Sequence, residues 1–224
     1  MAFLKRLTAS EKKIITSDWK SVLKNYQNYK TLHLIKRNGP ILIGVYLQPV
    51  YAGEHYVPVF HTHSLMTVAP TIGLSSLICL KGKKGANESI SVLRHASEFE
   101  KLVSAFKKQV PLAFVRELYC QALDQYYQHF ITIDKGYSIH VMTENILLLF
   151  WCQYDRQAIE QRINKYKSII QQWPDAAKIR FSSEQGWEKS IHSLMSLDRL
   201  QETVQKELLK FKLDQIEDNG LIVD

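Results

Sequence analysis

The stretch TLHLIKRNGPILIGVYLQPVYAGEHYVPVFHTHSL, residues 31–65, decides how the rest of the chain is read. Asn38-Gly39 is a strong two-residue hairpin signal, because both residue types tolerate positive φ. It separates two alternating apolar runs, 32–37 and 41–48, and Gly53 marks a second turn leading into 56–64. Together they predict an antiparallel β-meander. Pro49 and Pro58 lack ladder donors, which predicts an edge strand or a longer loop around them.

Alternation sorts these residues onto two faces. Leu32, Leu34, Ile41, Ile43, Val45 and Leu47 form the expected core face. His33, His61 and His63 share the other face with Arg37, Tyr46 and Gln48. With Asn38-Gly39 as a two-residue loop, His33 lies opposite Gly44. With the second turn centred on Ala52-Gly53, His61 lies opposite Gly44 as well, and His63 follows one pleat on. A three-histidine group with an open position suits zinc or iron carrying a nucleophilic water, with His95 or Glu54 assisting. The arrangement depends on register, since a slip of one residue exchanges the faces.

Other catalytic spacings do not occur. A JAMM-type zinc isopeptidase pattern starting from His61-Thr-His63 would need serine and aspartate where this chain has Thr71 and Leu74. Zinc deaminases need a Pro-Cys-x-x-Cys that is missing here. Gly-x-Ser-x-Gly, Walker A and dinucleotide fingerprints are also missing.

Around the meander, Thr8 and Glu11 form a capping box opening a helix with an apolar stripe of Ile15, Trp19, Val22 and Tyr26. Lys13, Lys20 and Lys24 cluster on its opposite side, within roughly 40° at 100° per residue. Residues 71–80 read as a buried strand, 81–87 as a basic loop and 89–94 as one more strand. A second capping box, Ser97 with Glu100, opens a helix through Phe99, Leu102, Val103 and Phe106, and His95 sits at its entrance. Pro111 suits the first turn of a helix with Val115, Leu118, Ala122 and Tyr126 on its core side. Residues 137–152 read as a second hairpin turning at Thr143-Glu144-Asn145, with 146–152 as a central strand. Ile159, Ile163, Tyr166, Ile170 and Trp173 define a helix ended by Pro174. Ser182 and Gln185 then open a single long helix, 183–216, with Leu194, Leu197, Val204, Leu208 and Phe211 at heptad spacing. Gly220 stops it, ahead of an apolar tail at 221–223 that either docks on the domain or adds a strand to a partner.

Strands first and helices after predict an α+β fold: a helix and antiparallel sheet in 1–96, then a helical region in 97–224 carrying the hairpin and the long helix. At 224 residues, with 46% hydrophobic and 23% charged residues, the chain can bury a full core and has no low-complexity run. The longest strongly apolar run, 146–152, is far too short to span a membrane, and the N-terminal residues lack the apolar segment of a secretory signal. Cys79, Cys120 and Cys152 are scattered in apolar contexts and read as buried thiols, which places the protein in the cytoplasm.

The 29 basic residues outnumber the 22 acidic ones, and the whole excess lies early. Residues 1–50 hold nine Lys/Arg against two Asp/Glu, whereas 51–224 hold twenty of each. A one-sided basic end calls for an acidic partner. The expected function is a non-enzymatic binding subunit of a multi-protein assembly. Lys5, Arg6, Lys13, Lys20 and Lys24 would contact an acidic protein or a nucleic-acid backbone, and the long helix and tail would hold a protein partner. A metal-dependent hydrolase at His33, His61 and His63 is the second reading. A self-assembling homo-oligomer built on the long helix is the third.

Overall fold

In a computed structural model of the chain, residues 7–133, 136–179 and 183–223 are described. The fold is α+β, with an N-terminal helix, an antiparallel meander and then helices. Helix α1, Ala9–Val22, starts at the expected capping box: Thr8 Oγ1 accepts from the Glu11 N–H at 3.2 Å, and Glu11 accepts from the Thr8 N–H at 2.8 Å. The sheet runs β1 (Gln27–Lys30), β2 (His33–Asn38), β3 (Ile41–Val50), β4 (His55–Ser64) and β5 (Ser75–Cys79) in that spatial order. A two-residue β6, Ile90–Ser91, pairs antiparallel with β4. Edge strand β1 is an addition to the meander read from sequence. Pro58 sits inside β4 without interrupting it.

The helices are α2 (His95–Gln109), α3 (Cys120–Ile133), α4 (Ile139–Trp151), α5 (Arg156–Gln171), α6 (Asp175–Lys178), α7 (Glu184–Leu194) and α8 (Leu197–Lys210). Among the described residues, no helix is long and apolar enough to cross a membrane. The chain divides into two compact units. One takes in residues 7–63, 77–118 and 216–220, and the other 64–76, 119–215 and 221–223.

The first unit centres on Trp19. Its indole lies edge-on to Phe99 and Phe106, at ring separations of 5.6 and 5.5 Å. Lys36 is fully buried on the apolar face of β2, where its ammonium donates to the carbonyls of Val115 at 3.1 Å and Arg116 at 2.8 Å. The segment 216–220 closes on the β2–β3 turn. Arg37 pairs with Asp218 at 3.1 Å, the Gly39 N–H donates to Asp218, and Asn38 Nδ2 donates to the Gly220 carbonyl.

The second unit is built on α4. The hairpin expected over 137–152 is a continuous helix. Its residues 141–142 and 144–149 are all buried, so no polar stripe marks the 3.6-residue period, and an apolar run then reads equally well as a central strand. The triplet that mimics a turn is satisfied inside the core. Thr143 Oγ1 accepts from Trp187 Nε1 at 3.0 Å, and Glu144 accepts from the Tyr127 hydroxyl at 3.2 Å. Asn145 donates to Asp124 at 2.7 Å and accepts from Arg162 at 2.8 Å and Tyr166 at 2.5 Å. Met142, Ile146, Leu149, Ile159, Ile163 and Tyr166 belong to the apolar cluster around it.

Further corrections concern the C-terminal half. The single helix expected over 183–216 is two, broken at Met195-Ser196, where Ser196 is extended at φ −136°, ψ 121°. Arg199 Nη1 captures the Ser193 carbonyl freed by the break, at 3.0 Å. Of the two expectations for the tail, docking on the chain holds: Ile222 bridges Tyr119 in parallel and its carbonyl accepts from the Cys120 N–H at 2.8 Å. Cys120 and Cys152 form a disulfide with Cα atoms 6.8 Å apart, which corrects the reading of three buried thiols and removes its argument for a reducing compartment. Helix α2 begins at His95 and not after a Ser97 cap; the Ser97 hydroxyl instead donates to the Arg94 carbonyl. Pro111 opens a short 3₁₀ turn, Pro111–Phe114, and the next α-helix starts only at Cys120.

Candidate functional site

Gly39, at φ 58°, and Pro40 form the β2–β3 loop, so that Asn38 pairs with Ile41. Asn38-Gly39 therefore marks the turn but is not the loop itself, and His33 pairs with Tyr46 while Ile35 pairs with Gly44. The slip from the expected register is two residues. Two preserves the alternation, so His33 and Gly44 still share a face. The imidazole of His61 lies over Gly44, with Nε2 only 2.1 Å from where a Cβ would stand.

His33 Nε2 and His61 Nε2 are 2.7 Å apart, a distance at which one ring donates its N–H to the bare nitrogen of the other. Tyr29 and Tyr46 stand edge-on to His33, at 5.4 and 5.5 Å. Burial, then the charge of Lys30, pushes His33 down to about 4. Burial, then His33, pushes His61 down to about 3, partly opposed by its contact with the Thr62 carbonyl. Both rings are therefore neutral at physiological pH, the form in which imidazole binds a metal. His63 is also buried, two residues along β4. Among the described residues, no group of three or more His, Cys, Asp or Glu side chains is arranged to hold a metal ion.

Two further histidines, His55 and His95, are engaged elsewhere. His55 Nδ1 contacts the Ser89 hydroxyl at 3.1 Å. His95 belongs to a buried relay that the sequence did not announce. Trp19 Nε1–H donates to the Tyr56 oxygen at 3.3 Å, and the Tyr56 hydroxyl donates to His95 Nδ1 at 2.8 Å. His95 Nε2–H then donates to Asp18 at 3.0 Å. The Asp18 carboxylate can only accept, so the His95 Nε2 facing it carries an N–H. Burial raises the Tyr56 hydroxyl well above its ordinary value, so it remains a donor. The relay ties α1, β4 and α2 together, joining residues as far apart as 18 and 95, a separation no local motif encodes.

The second unit holds a buried acid. Burial drives the Glu144 carboxyl up to about 7, against hydrogen bonds from Ser75, Tyr127 and the Ser64 backbone that pull it down. The turn-like reading of 143–145 concealed it.

On α1, Lys13 and Lys20 are exposed, and Lys24 is exposed just past the Leu23 cap. Among the described residues, none of the three ammonium groups makes an ion pair or hydrogen bond. Lys5 and Arg6 lie outside the described residues. Comparison with protein families, with curated proteins and with solved structures gives no match.

Proposed function

We propose that the chain is a non-enzymatic binding subunit of a multi-protein assembly. In this reading Lys13 and Lys20 on α1, with Lys24 just past its C-terminal cap, contact an acidic partner or a nucleic-acid backbone. The observation that carries the reading is the lack of local compensation for these three charges. The two carboxylates of α1 are committed, Glu11 to the helix cap and Asp18 to His95. Three of the other early cations are engaged within the fold, Lys36 by buried carbonyls, Arg37 by Asp218 and Lys30 over the Tyr29 ring. The Lys13 stripe is left for an external anion.

The test is a triple variant, Lys13→Glu with Lys20→Glu and Lys24→Glu, used in two assays. In co-purification from the native host, the parent protein should bring down a partner that the variant does not. In titration of a fluorescent DNA duplex, the variant should bind more weakly. The slope of log K against log salt should also fall by about three, roughly 0.9 per phosphate contact. The unfolding midpoint should stay in place, because exposed side chains away from packing contacts change stability little. Association that survives the triple reversal with unchanged salt dependence would leave the stripe as a solvated face.

A further inference from the structure

Where α7 stops at Leu194 and α8 restarts at Leu197, a cleft of about 620 Å³ lies beside the break. Met195 and Leu197 line it together with Phe150 from α4, Tyr154 from the turn after it and Ile159 from α5. The floor is the rim of the helical core, since Phe150, Tyr154 and Met195 all pack against the cluster that contains Ile159. A concavity of this size with apolar walls fits a small organic ligand, for which sites of about 300–1,000 Å³ are usual.

The polar groups at the cleft set the chemistry. Glu160 and His192, both in the lining, face each other at 3.9 Å. Arg156 makes no ion pair or hydrogen bond among the described residues. It occupies the first position of the 16-residue α5, where the helix dipole adds to its positive potential. A planar guanidinium beside aromatic and thioether surface matches a carboxylate attached to an apolar body.

We propose that this cleft binds a small aryl-alkyl carboxylate, its ring against Phe150, Tyr154 and Met195 and its carboxylate on Arg156. The site is independent of the lysine face of α1, so either assignment can fail without the other.

The probe is 1-naphthylacetate, compared with its neutral isostere 1-naphthylacetamide by fluorescence titration of the full chain. The acid should bind about tenfold more tightly than the amide, the effect of one charge-assisted contact. Arg156→Gln should bring the acid down to the affinity of the amide and leave the amide unchanged. Met195→Trp, which fills the cleft, should abolish both. In the parent protein, amide cross-peaks shifted by the acid should fall in 150–160 and 192–197, a readout that stands even where Met195→Trp does not fold. The proposal is overturned by any of three results: no binding of either compound at millimolar concentration, an advantage of the acid that survives Arg156→Gln, or shifts confined to other segments.

Discussion

Nε2 of His61 lies 2.7 Å from Nε2 of His33, and the same His61 ring occupies the space a side chain at position 44 would need. Gly44→Ala would place a methyl group 2.1 Å from that nitrogen in a fully buried site, so the ring must move. Overpacking of this kind costs about 1–3 kcal/mol. Urea denaturation should show the loss, and adding His61→Ala should return part of it, giving a measurable coupling between the two positions. A Gly44→Ala midpoint equal to that of the parent would show that the ring does not lie over the glycine.

The imidazole pair also sets a pH dependence. In the unfolded chain both rings take up protons near 6.5, whereas in the fold they wait until about 4 and about 3. The unfolded state therefore binds more protons within that interval. This contribution to stability is complete above pH 6.5 and is lost as the pH falls toward 4. Measured by urea unfolding, the stability difference between the parent and His33→Gln should narrow over the same range. A constant difference would mean that burial does not hold His33 neutral.

Glu144 acts in the opposite direction. Its folded value of about 7 exceeds the ordinary 4.5, so the folded state keeps the proton longer. That contribution is complete below pH 4.5 and is lost as the pH rises toward 7, at about 1.4 kcal/mol for each pH unit between the two values. Glu144→Gln cannot ionise and should gain on the parent steadily from pH 4.5 to 7. Parallel curves for the two proteins across that range would refute the assignment.

The disulfide predicts a thiol count. Denatured but unreduced protein should expose one titratable thiol, Cys79, and reduced protein three. The bridge spans a sequence separation of 32 residues, for which loop-closure entropy gives about 3–4 kcal/mol. Reductant should lower the thermal midpoint of the parent and leave a Cys120→Ala/Cys152→Ala variant unaffected. Three thiols in the unreduced sample would remove the bridge from the structure.

The α4 network predicts the cost of losing a single amide. Asn145→Leu keeps the bulk but takes a donor from Asp124 and an acceptor from Arg162 and Tyr166. Each buried polar group left unpaired costs about 1–3 kcal/mol. Tyr166→Phe removes only one of these bonds and should cost less. Equal thermal midpoints for the two variants would argue against Asn145 as the hub.

How far the fold could be read from the sequence follows from where its information lies. The meander was legible because its turn and its alternation are local, and the histidine face survived because a two-residue slip keeps parity. The Lys36 position was visible in the same alternation, falling between Leu34 and Asn38 on the apolar face, but its partners lie near residue 115 and are non-local. Helix α4 was hidden because burial on every side erases the helical period. The break at Met195-Ser196 did carry a signal: Ser196 followed by Asp198 in the first turn of α8 is a helix-start pattern, masked by leucines that continue the heptad spacing. Pairing of Cys120 with Cys152, and of His95 with Tyr56, is set by tertiary structure alone.

The bonds that Asp218 and Gly220 make to the β2–β3 turn have a temporal side. They join residues 179 and 182 positions apart, so the turn at Gly39 leaves the ribosome long before its partners exist. At about 5–20 residues per second, roughly ten to forty seconds of synthesis separate the two. Throughout that interval the Gly39 N–H and the Asn38 amide face water or a chaperone. A hairpin made early in synthesis is thus among the last parts of the molecule to be finished.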